Sequence, residues 1–239
     1  MLQIQSLDMK YGKRMVLENI SLEVPDGQCV SLIGESGSGK STLSRLILSL
    51  EKPCCGSIFW DRCDIKKIRR KDLYRAIQAV FQDNTSCLNP RMQIGESIRE
   101  PMDNFLKLSK PEKEKEIANL LDMVGLAKDT LTRYPHELSG GQLKRVCIAR
   151  AVSIRPHLIL LDEAVTGLDS TIMVKILNLL KQLQREINCS YLFITHDIQA
   201  ALYMSKTVAV MKDGTLVETA SDLQSPSDFR HPYSKSLVI

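Results

Sequence analysis

The chain has 239 residues, 44% hydrophobic and 25% charged, an ordinary globular composition that excludes disorder, a collagen-like repeat and a disulfide scaffold. One large core with an inserted subdomain suits that length better than two independent domains. A net charge of +4 is too small to imply a nucleic-acid partner, and apolar runs such as "LILLDEAV" and "VAVM" fall far short of the ~20 residues that span a membrane.

The opening "MLQIQSLDMKYG" lacks the pattern of a signal peptide, which places the chain in the cytoplasm. "CVSLIG", Cys29 to Gly34, predicts a buried strand that runs into glycines and then into "STLSRLILSL", where Leu43, Leu46, Ile47 and Leu50 share one helical face. Gly34, Glu35, Ser36, Gly37, Ser38, Gly39, Lys40 and Ser41 match G-x-x-x-x-G-K-[ST] in the strand-to-helix context of a phosphate loop. There, backbone N–H groups and the helix N-terminus face phosphate oxygens, Lys40 reaches the terminal phosphates and Ser41 can ligate Mg²⁺.

The seven cysteines show no paired C-x-x-C spacing, which predicts reduced, mostly buried thiols, with Cys54 and Cys55 in a turn between Pro53 and Gly56. The basic stretch Asp61 to Arg75 could hold phosphates, but acidic residues interrupt it and no aromatic pair accompanies it, so it reads as a solvated helical face. Gln82, in "AVFQD", closes an apolar stretch, either as a sensor of the nucleotide's metal or as a surface glutamine. From Asp83 to Arg155 the strand signal fades, and the S-x-x-E pattern of Ser109 and Glu112 precedes Ile117, Leu120, Leu121 and Val124, which predicts a helical insertion.

That insertion carries "LSGGQ", Leu138 to Gln142, before "LKRVCIARAV", whose Val146, Ile148, Ala149 and Val152 fall into helical register. Ser139, Gly140 and Gly141 therefore predict a second anion-facing helix start. Lying at the far end of an insertion, it cannot share the first loop's phosphates within one chain, so a second molecule is the economical solution.

"LILLD", Leu158 to Asp162, predicts a buried strand that puts Asp162 at the ligand edge of an open α/β sheet, with Glu163 next on the loop. One carboxylate can hold Mg²⁺ while the other orients and deprotonates water. Ile172, Ile176, Leu179, Leu180, Leu183 and Ile187 form a helical core stripe. "SYLFIT" predicts a third strand, ending at His196, where an imidazole can bond the terminal phosphate or the water. "KTVAVMKDGTLVET" predicts a hairpin turning at Asp213 and Gly214, while His136, His157 and His231 lack a strand-end position and read as local.

In this order, the phosphate loop, Gln82, "LSGGQ", "LILLDE", "GLD" at Gly167 to Asp169 and His196 resemble the nucleotide-binding subunit of an ABC transporter over essentially the whole chain. The resemblance implies one α/β domain, 1–239. Its P-loop NTPase core has a mostly parallel sheet and an N-terminal antiparallel β part, and 83–155 form an inserted helical subdomain. It implies ATP as the nucleotide, held by Gly34 through Ser41 and Thr42, with Tyr11 stacked on adenine and Mg²⁺ on Ser41, Gln82 and Asp162. Glu163, His196 and Gln82 become the catalytic set, Gln82 also coupling to membrane subunits. Ser139, Gly140, Gly141, Gln142 and Asp169 act across a head-to-tail sandwich on a partner's ATP.

Implied partners are a homologous ATPase in a heterodimer, two membrane permeases at the cytoplasmic face of the cell membrane and, indirectly, an extracytoplasmic substrate-binding protein. "VFQDNTSCLNPRMQIGESIREPM" and "HPYSKSL" are similar to the dipeptide, oligopeptide and nickel importer branch. Ala164 and Val165, where peptide importers usually show Pro and Thr, together with "LSGGQLKRVCIARA", resemble the nickel or metal-chelate subgroup. Peptide import is the alternative. A soluble ABC ATPase of translation or DNA repair is a more distant one, since neither a second nucleotide domain nor a long coiled-coil insertion is visible.

Overall fold

The structure, a computed structural model, describes residues 1–83, 87–223 and 225–237; residues 84–86 of the importer-like run and the last two residues lie outside the described set. Its strands in chain order are β1 (Leu2–Tyr11), β2 (Arg14–Val24), β3 (Cys29–Ile33), β4 (Cys55–Trp60), β5 (Cys63–Asp64), β6 (Ile77–Val80), β7 (Leu158–Asp162), β8 (Ser190–Thr195), β9 (Thr207–Lys212) and β10 (Thr215–Ser221). The helices are α1 (Lys40–Ile47), α2 (Arg70–Ala76), α3 (Ile94–Phe105), α4 (Lys110–Val124), α5 (Gly140–Val152), α6 (Ser170–Ile187), α7 (Ile198–Met204) and α8 (Pro232–Ser236).

A six-stranded sheet runs β10-β9-β3-β8-β7-β6, parallel except at the β9–β10 hairpin, and a four-stranded antiparallel sheet runs β2-β1-β4-β5. Every residue of β3, β7 and β8 is buried, which is why these segments are continuous apolar runs rather than alternating ones. Successive residues of β7 and β8 feed two cores. Leu158, Leu160, Leu192 and Ile194 join α1 and the antiparallel sheet, whereas Ile159, Leu161, Tyr191 and Phe193 join α3, α4, α5 and α6. The period-two geometry of a strand makes these the opposite faces of the central sheet.

Between Val80 and Leu158 the described residues hold helices and turns and no strand. Ser109 donates from its backbone N–H to Glu112 at 2.7 Å as α4 begins, and α4 buries Ile117, Leu120, Leu121 and Val124. Asp213 (φ 45) and Gly214 (φ 82) make the hairpin turn, and a Cβ on Gly214 would lie 2.4 Å from the Val16 carbonyl oxygen, so only glycine fits there. The α6 stripe is core as expected at Ile176, Leu179, Leu180 and Leu183, with Ile172 and Ile187 partly buried against it.

Two expectations need correction. Leu50 does not continue the buried face of α1: the helix ends at Ile47, Ser49 turns left-handed (φ 54), and Leu50 is 58% exposed. Nor are the thiols mostly buried. Cys29, Cys147 and Cys189 are, but Cys54, Cys55 and Cys63 are exposed and Cys87 is half-buried; Cys55 opens β4 rather than lying in the turn. Polar edge positions took cysteines that composition alone assigns to the core. The basic stretch does form a solvated face, with Arg69 paired to Asp72 at 2.7 Å and Leu73 buried beneath α2.

Candidate nucleotide site

Three adjacent strands bring the chemistry together. In the parallel register Ile33 pairs with Thr195 and Asp162 with Ile194, so Gly34, His196 and Glu163 all leave the sheet at the same carboxyl edge. Gly34 cannot carry a side chain, because its Cβ would sit 2.2 Å from the Met211 carbonyl oxygen. Gly39, the residue before α1, has φ 110, and its Cβ would meet Leu17 Cδ2 at 2.6 Å. The loop is thus pressed against β2 and β9, and two of its glycines are required by packing.

The start of α1 has no side-chain cap and no acidic residue in its first turn, the condition under which a helix start can take an anion. Lys40 is buried inside the loop, its Nζ donating to the carbonyl oxygens of Gly34 and Glu35 at 2.7 Å each. Burial lowers the Lys40 pKa, and the negative charges of Glu163, Asp162 and Glu35 oppose that shift. Glu35, Ser36, Gly37 and Ser41 are exposed, while Ser38 and Thr42 are buried beneath them. Arg45 Nη2 reaches the Thr42 hydroxyl at 3.4 Å. Tyr11, 44% exposed at the end of β1, bonds through its hydroxyl to Glu51, which also pairs with Arg45 at 3.0 Å. That contact ties the end of β1 to the residues that follow α1.

Asp162 is 6% exposed, and its Oδ1 has no hydrogen-bond partner among the described residues. Burial raises its pKa, helped by the Glu163 charge, while a Ser44 hydrogen bond, Lys40 and Arg45 pull the other way. A buried, unsatisfied carboxylate oxygen suits a hard cation such as Mg²⁺, which takes oxygen ligands.

Glu163 is held in a left-handed conformation (φ 53), which for a non-glycine costs on the order of 1–3 kcal/mol. Its N–H bonds the Ile194 carbonyl at 2.9 Å, its Oε2 accepts from the Thr166 hydroxyl, and His196 Nδ1 lies 2.9 Å from the same oxygen. The carboxylate is 17% exposed and the imidazole 57% exposed, an oriented acid with a solvent-facing partner. Gln82, just beyond β6, is exposed, and its backbone carbonyl takes a bond from Lys144.

The second glycine cradle is built differently. Ser139 caps α5, accepting from Gln142 N at 3.3 Å while Gln142 Oε1 accepts from Ser139 N at 3.0 Å. Ser139 and Gly140 are exposed, and a Cβ on Gly140 would meet nothing within 4 Å. Asp169, also exposed, caps α6 by accepting from Ile172 N at 3.0 Å.

A family model described as ABC transporter matches residues 17–166. The chain belongs to the ABC transporter family. It is 44% identical over 213 residues to the nickel import ATP-binding protein NikE of Escherichia coli O157:H7, covering 88% of this chain and 80% of that protein. A Brucella abortus (strain 2308) protein, provisionally named a peptide import ATP-binding protein, is 41% identical over 234 residues, 95% of this chain and 70% of its own length. Among solved structures, the dimeric post-hydrolysis state of the ATP-binding cassette MJ0796 bound to ADP and Pi superposes with a TM-score of 0.83 at 31% identity, covering 94% of this chain and all of that one. A part of the ABC transporter complex cbiONQ, cbiO1 from Clostridium perfringens, gives 0.84 at 29% identity, covering 92% of this chain and 88% of the other.

The protein is thus an ABC-type ATPase. Among its described residues no helix is long and apolar enough to cross a membrane.

Sequence reasoning missed Thr166, which clamps Glu163 from three residues downstream, and Tyr233 of the "HPY" segment, whose hydroxyl lies near Glu35 of the phosphate loop. It also left Lys144 unremarked. The Glu-x-x-Thr spacing was the available signal for Thr166; nothing local marks the other two.

Proposed function

We propose that this ABC ATPase powers import of nickel or a metal chelate, from the cytoplasmic face of the cell membrane, by driving two permease subunits. The observation that carries its chemistry is the shared strand edge. β3 presents the phosphate loop with Lys40, and the next two strands present His196, Asp162 and Glu163. In this reading Gly34 to Thr42 hold the phosphates of ATP and Tyr11 stacks on the base. Ser41, Gln82 and Asp162 would hold Mg²⁺, which when bound offsets phosphate charge. Glu163 orients the attacking water and takes its proton; His196 holds that carboxylate and leaves its other ring nitrogen for the terminal phosphate.

Ser139, Gly140, Gly141, Gln142 and Asp169 act on the ATP of a homologous subunit. Two observations support this. The helices α1 and α5 belong to cores on opposite faces of the sheet, and Gly140 faces open space. The segment 83–155 is then one inserted helical unit that presents the second cradle outward. The solved dimer of a similar cassette supports the pairing, and the likeness to NikE supports nickel over the slightly more distant peptide relative.

The test is ATP turnover of the chain assembled with its homologous ATPase and permeases in vesicles, with the extracytoplasmic binding protein added. Stimulation by that protein loaded with a nickel chelate, and none with a dipeptide, is the expected result; the reverse moves the assignment to peptide import. Recovery of the chain with ribosomes or DNA rather than with membrane subunits would count against transport.

A further inference from the structure

Among the described residues two lysines are buried, Lys40 and Lys144. The phosphate loop accounts for the first. Lys144 lies five residues past Ser139 on α5, only 1% exposed, although a lysine is rarely buried without a partner. What it gains is specific. Nζ donates to the Phe81 carbonyl oxygen at 2.9 Å and reaches that of Gln82 at 3.4 Å. β6 is an edge strand whose pairing with β7 ends at Val80, so these carbonyls lie just past the last rung of the ladder. Arg150, further along α5, donates to the Cys87 carbonyl at 3.0 Å and to Glu100 at 2.7 Å. The signature helix therefore grips the Gln82 connection by its main chain at Phe81 and Gln82 and again at Cys87.

We infer that Lys144 is a positioning residue that makes the start of α5 and the Gln82 segment move as one body, so that the nucleotide state met at Gln82 sets the placement of Ser139 to Gly141. This rests on the ATP-sandwich reading above. Main-chain carbonyls are suited to the task because their position does not depend on the Gln82 side chain, which remains available to the nucleotide. A hydrogen-bond donor is the required feature: an apolar residue of equal length would fill the space and release the tether.

The test is deuterium uptake with and without Mg-ATP, together with steady-state turnover, in the assembled ATPase pair. In the wild type, Mg-ATP should slow exchange both at 78–83 and at 138–143. Lys144→Met should keep the first response, lose the second and lower kcat about tenfold, with the KM for ATP within about twofold. Lys144→Gln, which retains a donor, should restore both responses. Wild-type kcat and protection at 138–143 in Lys144→Met would overturn the inference, as would Lys144→Gln behaving like Lys144→Met. Should Lys144→Met fail to fold, a stably folded Lys144→Gln that lacks the 138–143 response overturns it equally, and one that keeps the response supports it. Absence of any Mg-ATP effect in the wild type would instead overturn the sandwich reading and this inference with it.

Discussion

The two glycine-rich helix starts look alike in sequence and differ in what they demand of the chain. At the phosphate loop, Gly34 and Gly39 leave no room for a Cβ, Lys40 is folded into the loop, and α1 carries no cap. At the signature, α5 is closed by a reciprocal Ser139–Gln142 cap and Gly140 borders open space. The first is a receptor completed by its own fold. The second is a finished helix end whose Gly140 meets no crowding inside the chain, which suits the proposed approach of a partner's phosphates. One sequence pattern, a glycine run before a helix, thus serves two physical ends.

The sharpest way to break this contrast is at Glu163, the proposed base. Glu163→Gln keeps the Thr166 contact and the strand-end geometry but removes the base, so turnover in the assembled pair should fall about 10²- to 10⁴-fold while ATP affinity holds. Unchanged turnover would remove Glu163 from the reaction. Its neighbour makes a pH prediction. The folded pKa of Asp162 is raised above its ordinary 3.8, chiefly by burial, so the folded state binds the proton more tightly than the unfolded chain does. Nucleotide-free stability should therefore fall as pH rises from 3.8 through the folded pKa. Asp162→Asn should flatten that part of the profile in thermal melts without metal, yet abolish hydrolysis; a profile identical to wild type would mean that the buried charge is already compensated.

How far the sequence revealed these features depended on whether a signal was local. β3, β7 and β8 were legible almost to the residue, since strands buried on both faces must be apolar throughout, and Ser109 with Glu112 marked the start of α4. The strand-end position of Asp162, Glu163 and His196 followed from the same runs. The end of α1 was not legible. The apolar period continues through Leu50, and only the left-handed turn at Ser49 reveals the stop. Burial of Lys144 was hidden for a deeper reason: a lysine on a helix is by default solvated, and its partners are main-chain carbonyls more than sixty positions away, which no side-chain pattern encodes.

Gly39→Ala and Gly140→Ala test the two cradles with one chemical change. At Gly39 the methyl would enter a left-handed backbone against Leu17, so alanine should cost about 1–3 kcal/mol of stability from strain, before any displacement of Leu17, and weaken ATP binding by the same distortion. Isothermal titration with ATP and a denaturant melt would check both; a variant as stable as wild type would show that the loop can relax.

Gly140→Ala is expected to have the smallest effect on stability and therefore says most about assembly. The new methyl has free space and an ordinary helical backbone, so the isolated chain should be unchanged or gain about 0.5 kcal/mol by losing a glycine's unfolded-state freedom. Its own ATP affinity should not move, because α5 lies in the other core from α1. Turnover in the assembled pair should nonetheless fall, since a methyl group now stands where a neighbour's phosphates must approach backbone N–H groups. In a heterodimer carrying the change in this subunit alone, the loss should appear at the partner's phosphate loop, measured by pairing it with Lys40→Ala so that only the partner's loop can bind ATP productively. Loss at this subunit's own loop instead would mean that the two cradles converge within one chain, and the contrast between receptor and presenting surface would collapse.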